Sequence, residues 1–135
     1  MNRGSVIEFH LDARSGVAPY LQIIQQVRQA LRLDLLSVGD QLPTVKDVVA
    51  MLAINPNTVL KAYRELEYEG LVTARPGVGT FVTATLTDGS LAAHGPLRRE
   101  LERWLAKARL AGLDEDSIEA LYRDTVRAAT KEEAL

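Results

Sequence analysis

The chain contains no cysteine and only two histidines, His10 and His94. Absence of cysteine removes disulfide frameworks, thiolate nucleophiles, iron–sulfur clusters and cysteine zinc sites together. Neither histidine has a second ligand at helical or hairpin spacing, so both read as surface histidines and no metal or cofactor is expected. There is no excess of positive charge: sixteen Lys and Arg against eighteen Asp and Glu give a net charge of −2. That balance excludes a histone-like or polybasic coat, so any anionic partner must be met locally. No stretch approaches the length of a membrane span, and Met1 to Ser5 lead into no apolar core of a signal peptide, so a cytoplasmic address is expected. At 135 residues, 47% of them hydrophobic, the chain is long enough to bury a core but too short for a large catalytic architecture. With no cysteine, no histidine beside an acid at useful spacing and no phosphate-binding glycine loop after a strand, it is not read as an enzyme.

What is present is a series of start and stop signals. Ile7, Phe9 and Leu11 alternate with polar residues, as in an edge strand or an extended arm. Pro19 suits the first turn of a helix whose apolar positions are Tyr20, Ile24, Val27 and Leu31, with Gln22, Gln25, Gln26 and Arg28 on the wet side. Thr44 and Asp47 have the spacing of a capping box for a second helix, which buries Val48, Val49 and Leu52 and ends near Ala53. Asn55 then offers an N-cap and Pro56 a first helical residue, with Ile54 and Val59 placed as a hydrophobic staple. This third helix runs to Gly70. At about 100° per residue, Val59, Ala62, Tyr63 and Leu66 share one side, and Asn57, Lys61, Arg64 and Tyr68 the other. Glu65, Glu67 and Glu69 fall on the flanks. Two short runs around Pro76-Gly77-Val78-Gly79 read as a β-hairpin.

Residues 85–96 lack periodicity and read as a connector. Beyond them, Leu97, Leu101, Trp104, Leu105 and Ala108 form a stripe on one helix, which Gly112 stops. Asp114 caps another, with the stripe Ile118, Leu121, Tyr122, Thr125 and Ala129. Some forty residues cannot bury two such stripes alone, so residues 97–135 are expected to dimerise through Leu97, Leu101, Trp104, Leu105, Ile118, Leu121 and Tyr122. The expected architecture is mainly α with a small β-hairpin: a winged helix-turn-helix over residues 1–84, a connector, and a short two-helix dimerisation tail.

That arrangement suits duplex DNA, whose major groove accepts one α-helix. Asn57 can pair with adenine and Lys61 with guanine, each good contact being worth roughly 1–3 kcal/mol of discrimination. Arg64 shares their face. Thr44, Lys46, Asn55 and Thr58 suit phosphates at helix starts, where free N–H groups also point outward. Gly77 and Gly79 let the wing's main chain approach a phosphate or the minor groove, with Arg75 beside them. Simpler explanations compete at each position. Capping alone accounts for Asn55 and Pro56 but leaves Asn57 unexplained; Lys46 and Arg75 are ordinary surface cations outside the motif; Tyr63 reads as core, and Tyr68 as surface or groove contact. Trp104 fits core or dimer interface, and Asp114-Glu115-Asp116 fits a favourable helix N-terminus.

The run Gly39-Asp40-Gln41-Leu42-Pro43-Thr44, the stretch from Ile54 to Val59, and then Glu67-Tyr68-Glu69-Gly70-Leu71-Val72 and Gly77-Val78-Gly79-Thr80-Phe81-Val82 carry a family likeness. They resemble the DNA-binding domain of GntR-family bacterial transcription regulators over about residues 7 to 83. The Asn-Pro-Asn-Thr helix start, Lys61-Ala62-Tyr63 and the short tail resemble the YtrA-like subfamily. The resemblance implies a homodimeric repressor on an inverted-repeat operator near its own promoter, often controlling transporter genes. The tail is too short to hold a large pocket within one chain, which leaves the space between subunits for an unknown small-molecule effector. By position it implies DNA contacts at Lys46, Asn55, Asn57, Thr58 and the wing glycines. Many members have arginines where this chain has Pro56 and Leu60, so Asn57 or Lys61 takes a larger share of base reading. Ala53 stands where a turn glycine is frequent. The other reading carried forward, motivated by the near-neutral charge, is a winged-helix interaction adaptor without specific DNA binding. The charge itself divides evenly: residues 1–85 hold eight basic and eight acidic groups, and residues 86–135 eight and ten. Few phosphate contacts per subunit are therefore expected, with dimerisation doubling them.

Overall fold

Each start signal becomes a helix in the computed structural model, which describes residues 7–87 and 94–133. The N-terminal segment 1–6, half of the expected connector (88–93) and residues 134–135 lie outside the described residues. Among those described, the order is α1 (Pro19–Arg32), α2 (Val45–Leu52), α3 (Pro56–Tyr68), β1 (Val72–Arg75), β2 (Gly79–Val82), α4 (Gly95–Leu110) and α5 (Glu115–Glu133). The chain forms two compact units, Met1–Ala92 and Ala93–Leu135.

In the first unit the capping box of α2 is complete. Thr44 Oγ1 accepts from Asp47 N at 3.1 Å, and Asp47 Oδ2 accepts from Thr44 N at 3.3 Å. Asn55 Oδ1 accepts from Asn57 N at 2.8 Å and starts α3, with Pro56 as its first residue. Between the two helices Ala53 takes a left-handed conformation (φ 54°, ψ 47°), the geometry that glycine adopts without steric cost. Ile23, Val27 and Leu31 of α1 meet Val48 of α2 and Val59 and Leu66 of α3 in one core, which Val72 and Val82 of the hairpin also join. Tyr63 is buried there, and its hydroxyl donates to the Pro43 carbonyl at 2.6 Å. Burial pushes this phenol's pKa well above its ordinary value, with Asp47 adding to the shift.

β1 and β2 pair antiparallel with Val72 opposite Val82 and Arg75 opposite Gly79. The segment before α2 runs along the free edge of β2. Gly39 N donates to Val82 O, Val82 N to Asp40 O, and Leu42 N to Thr80 O, each at 2.8 Å. The wing is thereby tied to the entrance of α2, and its direction is fixed by the same backbone that starts the helix-turn-helix. Ala84 and Leu86 still pack on this core, two residues beyond the expected limit at 84.

Of the two forms expected for the segment carrying Ile7 and Phe9, the structure shows the extended arm, with both side chains buried as the alternation required. One expectation changes. Gln22 is not on the wet side of α1. It is 8% exposed, and its amide accepts from Asp12 N at 2.8 Å while donating to Asp12 O, Ser15 Oγ and Val17 O. Gln26 similarly brackets the His10 main chain, at 3.1 and 2.7 Å. A strand ladder would have satisfied the arm's polar groups with backbone; here two glutamine side chains do so.

In the second unit α4 and α5 are joined at Gly112 (φ 92°), and Asp114 Oδ1 accepts from Ser117 N at 2.8 Å as the expected cap. Among its described residues only Ala108 and Ile118, on either side of the turn, are buried. α4 begins at Gly95, inside the stretch read as connector.

Candidate nucleic-acid interface

The start of α2, the outer face of α3 and the wing bring the sequence-selected residues into one unit. Thr44, Lys46, Asn55, Asn57, Lys61, Arg64, Arg75 and Gly77 are exposed, whereas Thr58 and Gly79 are half-buried. Lys46 and Arg64 have no ion-pair partner among the described residues, so their charge remains available. Local chemistry divides the others.

The N-terminus of α3 has no spare donor. Pro56 lacks an N–H, Asn57 N is held by the Asn55 side chain, and Thr58 N donates to Asn55 O at 3.0 Å. The expectation of free N–H groups at this helix start is therefore not met, and only side chains project from it. At α2 the cap takes Asp47 N, and the N–H groups of Val45 and Lys46 have no acceptor among the described residues. The helix-end geometry suited to a phosphate lies there, beside the Lys46 side chain. Sequence reading missed this difference, although the proline at 56 already removed one donor from α3.

Lys61 is drawn inward. Its Nζ lies 3.9 Å from the centroid of the Tyr20 ring on α1, a cation–π contact that binds α3 to α1. Asn57 is left as the exposed polar side chain at the front of the helix, Leu60 beside it being half-buried. The flanking acids are also engaged. Glu67 Oε2 accepts from Ala74 N at 2.8 Å, and Glu69 forms an ion pair with Arg28 of α1. Two of the three carboxylates thus serve α3's attachment to the hairpin and to α1 instead of facing outward.

On the wing, Arg75 stacks over Phe81 with its guanidinium carbon 4.7 Å from the ring centroid. Gly77 has φ 74° and the following tip residue, Val78, is 61% exposed. Gly79 is a tighter case. Its φ is 146°, and a Cβ there would collide with the amide of Gln41, which also donates to Val78 O at 3.3 Å. Gln41, given no role of its own in the sequence, fills the space under the wing that a side chain at 79 would need.

In the tail, Leu97, Leu101, Leu121 and Tyr122 are exposed, Trp104 and Leu105 are half-buried, and Ile118 is already covered within its own chain. Val126 and Leu110, outside the expected set, are 46% and 90% exposed. Among the described residues no helix is long and apolar enough to cross a membrane, and no group of three His, Cys, Asp or Glu could hold a metal ion.

The sequence model for the family described as "Bacterial regulatory proteins, gntR family" matches residues 19–82, the span from α1 through β2. The HTH-type transcriptional repressor YtrA of Bacillus subtilis (strain 168) is 34% identical over 108 residues, covering 77% of this chain and 81% of the repressor. The HTH-type transcriptional regulator Rv1152 of Mycobacterium tuberculosis is 38% identical over 104 residues, covering 76% and 81%. Among solved structures, YtrA from Sulfolobus acidocaldarius, a GntR-family transcription factor, superposes with a TM-score of 0.52 at 29% identity, covering 76% of this chain and 99% of that one. These relatives are transcription regulators and not enzymes. With the family's helices and wing in place and a YtrA repressor related over most of both chains, this chain belongs to the GntR family of bacterial regulatory proteins, on its YtrA-like branch.

Proposed function

We propose that the protein is a cytoplasmic repressor that binds an inverted-repeat operator near its own promoter as a homodimer, with a transporter operon as its expected target. One observation carries the DNA-binding part: α3 exposes Asn57 and Arg64 beside the α2 terminus, where Lys46 and two N–H groups without acceptors stand together. Asn57 reads base edges, Arg64 contacts either a base or the backbone, and Thr44, Lys46 and the Val45 and Lys46 amides grip phosphate. The side chain of Asn55 serves mainly the helix start, Thr58 adds a phosphate contact, and Lys61 acts mostly through Tyr20. Arg75, Gly77 and Gly79 place the wing on the adjoining groove. The division into a DNA-binding unit, a connector and a dimerising tail is part of this proposal, supported by the tail's exposed leucines and Tyr122.

The test is binding to duplexes from the gene's own upstream region. A palindromic site is expected to bind at least about a thousandfold more tightly than scrambled DNA at physiological salt. Asn57→Ala should reduce discrimination at particular bases, whereas Lys46→Ala should weaken every sequence and lower the salt slope by about one per subunit. Palindrome and scrambled duplex bound equally would sink the specific reading and leave the interaction-adaptor reading in its place.

A further inference from the structure

Lys46, Lys61, Arg64 and Arg75 are the exposed cations of the candidate interface, and they are not alike. Lys61 rests on the Tyr20 ring and Arg75 on the Phe81 ring, whereas Lys46 and Arg64 meet no ring among the described residues. The Lys61 seat joins two helices. Tyr20 stands in the first turn of α1 and Lys61 in the first half of α3, with Nζ 3.9 Å from the ring centroid. Farther along the same pair of helices, Arg28 of α1 forms its ion pair with Glu69 at the end of α3. From Tyr20 to Arg28 and from Lys61 to Glu69 the step is the same, about 12 Å of helix, so the two contacts hold α1 parallel to α3. The seat is thus anchored by a second tie.

The position of Lys61 on α3 decides what its ammonium reaches. At about 100° per residue from Asn57, Arg64 lies about 20° to one side and Lys61 about 40° to the other. Glu67, bonded to Ala74 of the wing, falls on the Arg64 side, and Glu69, paired with Arg28 of α1, on the Lys61 side. Asn57 and Arg64 therefore face outward between wing and α1, and Lys61 leans toward α1. A helix in the major groove turns its outermost ridge to base edges, while its flanks meet the sugar–phosphate walls. An unrestrained lysine stem would let the ammonium sweep across both. The negative face of the Tyr20 ring keeps it on the flank, and the ammonium's three donors leave hydrogens for an anion on its open side.

We infer that Tyr20 is a positioning residue for DNA binding: its ring holds the Lys61 ammonium on the α1 flank of α3, where it neutralises a backbone phosphate and is withheld from base edges. Base reading from α3 then falls to Asn57, with Arg64 beside it. This rests on the DNA-binding reading above and assigns Lys61 within it.

The test is a double-mutant cycle on the full chain, read as affinity for a palindromic duplex from the gene's upstream region and for its scrambled counterpart over a salt series. The variants are Lys61→Ala, Tyr20→Leu, the two together, and the conservative Tyr20→Phe. Lys61→Ala should weaken both duplexes by a similar factor, about three- to tenfold, and lower the salt slope by about one per subunit. Tyr20→Leu should weaken binding about threefold, but by less than about 1.5-fold once Lys61 is alanine. Tyr20→Phe keeps the ring face and should stay within about twofold of wild type. In the free protein the Lys61 ε-methylene protons should resonate upfield of those of the other lysines through the ring current, a shift kept in Tyr20→Phe and lost in Tyr20→Leu. Equal losses from Tyr20→Leu with and without Lys61 would reduce Tyr20 to a packing residue, and a Tyr20→Phe loss matching that of Tyr20→Leu would assign the effect to the hydroxyl. Either result overturns the inference, as would a Lys61→Ala protein that loses discrimination at one base pair with its salt slope unchanged. Wild-type protein binding palindrome and scrambled duplex equally would instead overturn the specific DNA-binding reading itself.

Discussion

Replacing Ala53 by glycine should stabilise the first unit, and the sign follows from two opposing terms. Ala53 sits between α2 and α3 with φ 54° and ψ 47°, and its side chain is exposed. A left-handed conformation costs an L-residue about 1–2 kcal/mol through the clash of Cβ with the following carbonyl. Glycine removes that strain but makes the unfolded chain more flexible, at about 0.4–1 kcal/mol. No packing is lost, because the methyl group is outside the core, and the cap bond from Ala53 N to Val49 O at 2.8 Å involves main chain only. The balance is a gain of about 0.5–1 kcal/mol, or roughly 2–8 °C in Tm for a unit of this size. Ala53→Val should move the other way by about 1 kcal/mol or more, since a β-branched residue is worse in this region. Amide hydrogen exchange across α1 to α3 isolates the first unit, while Trp104 fluorescence follows the tail. Ala53→Gly neutral or destabilising with the cap bond still protected would refute the strain assignment.

The remaining expectations concern contacts remote in sequence. Gly79→Ala should loosen the wing and weaken operator binding several-fold, because the new Cβ meets the Gln41 amide and φ 146° strains alanine; adding Gln41→Ala should restore part of the loss, and no recovery would show that space under the wing is not the issue. Gln22→Leu should cost about 2–3 kcal/mol and raise proteolysis between Asp12 and Val17, since the buried amide serves four partners; unchanged cleavage would contradict its anchoring of the arm. Tyr63 has its pKa raised in the fold, so its contribution is complete below the ordinary phenol value near 10 and is lost as pH rises above it. Stability should fall in that alkaline window by up to about 1.4 kcal/mol per pH unit from this one group, and Tyr63→Phe should remove that component at the cost of the Pro43 hydrogen bond, about 1 kcal/mol at neutral pH. Denaturation curves of both proteins from pH 8 to 11 with equal slopes would contradict the assignment.

Sequence alone determined what is local. The Thr44–Asp47 box, the Asn55-Pro56 start, the Asp114 cap and the glycines that end α3 and α4 all act within one helical turn, so residue type and spacing suffice to place them. The apolar stripes were equally legible, because 3.6-residue periodicity is a property of the chain. Tertiary structure decided whatever needs a partner tens of residues away. Gln22 looks solvated until the arm folds over it, Lys61 looks like an unattached surface cation until Tyr20 stands beneath it, and Glu67 and Glu69 look like unpartnered acids until β1 and Arg28 arrive. The same holds for which helix start keeps spare N–H donors, since a donor is free only when every nearby acceptor has been placed. Short-range backbone chemistry writes the elements into the sequence, while the allocation of polar side chains between core, neighbour and outer surface depends on how those elements pack.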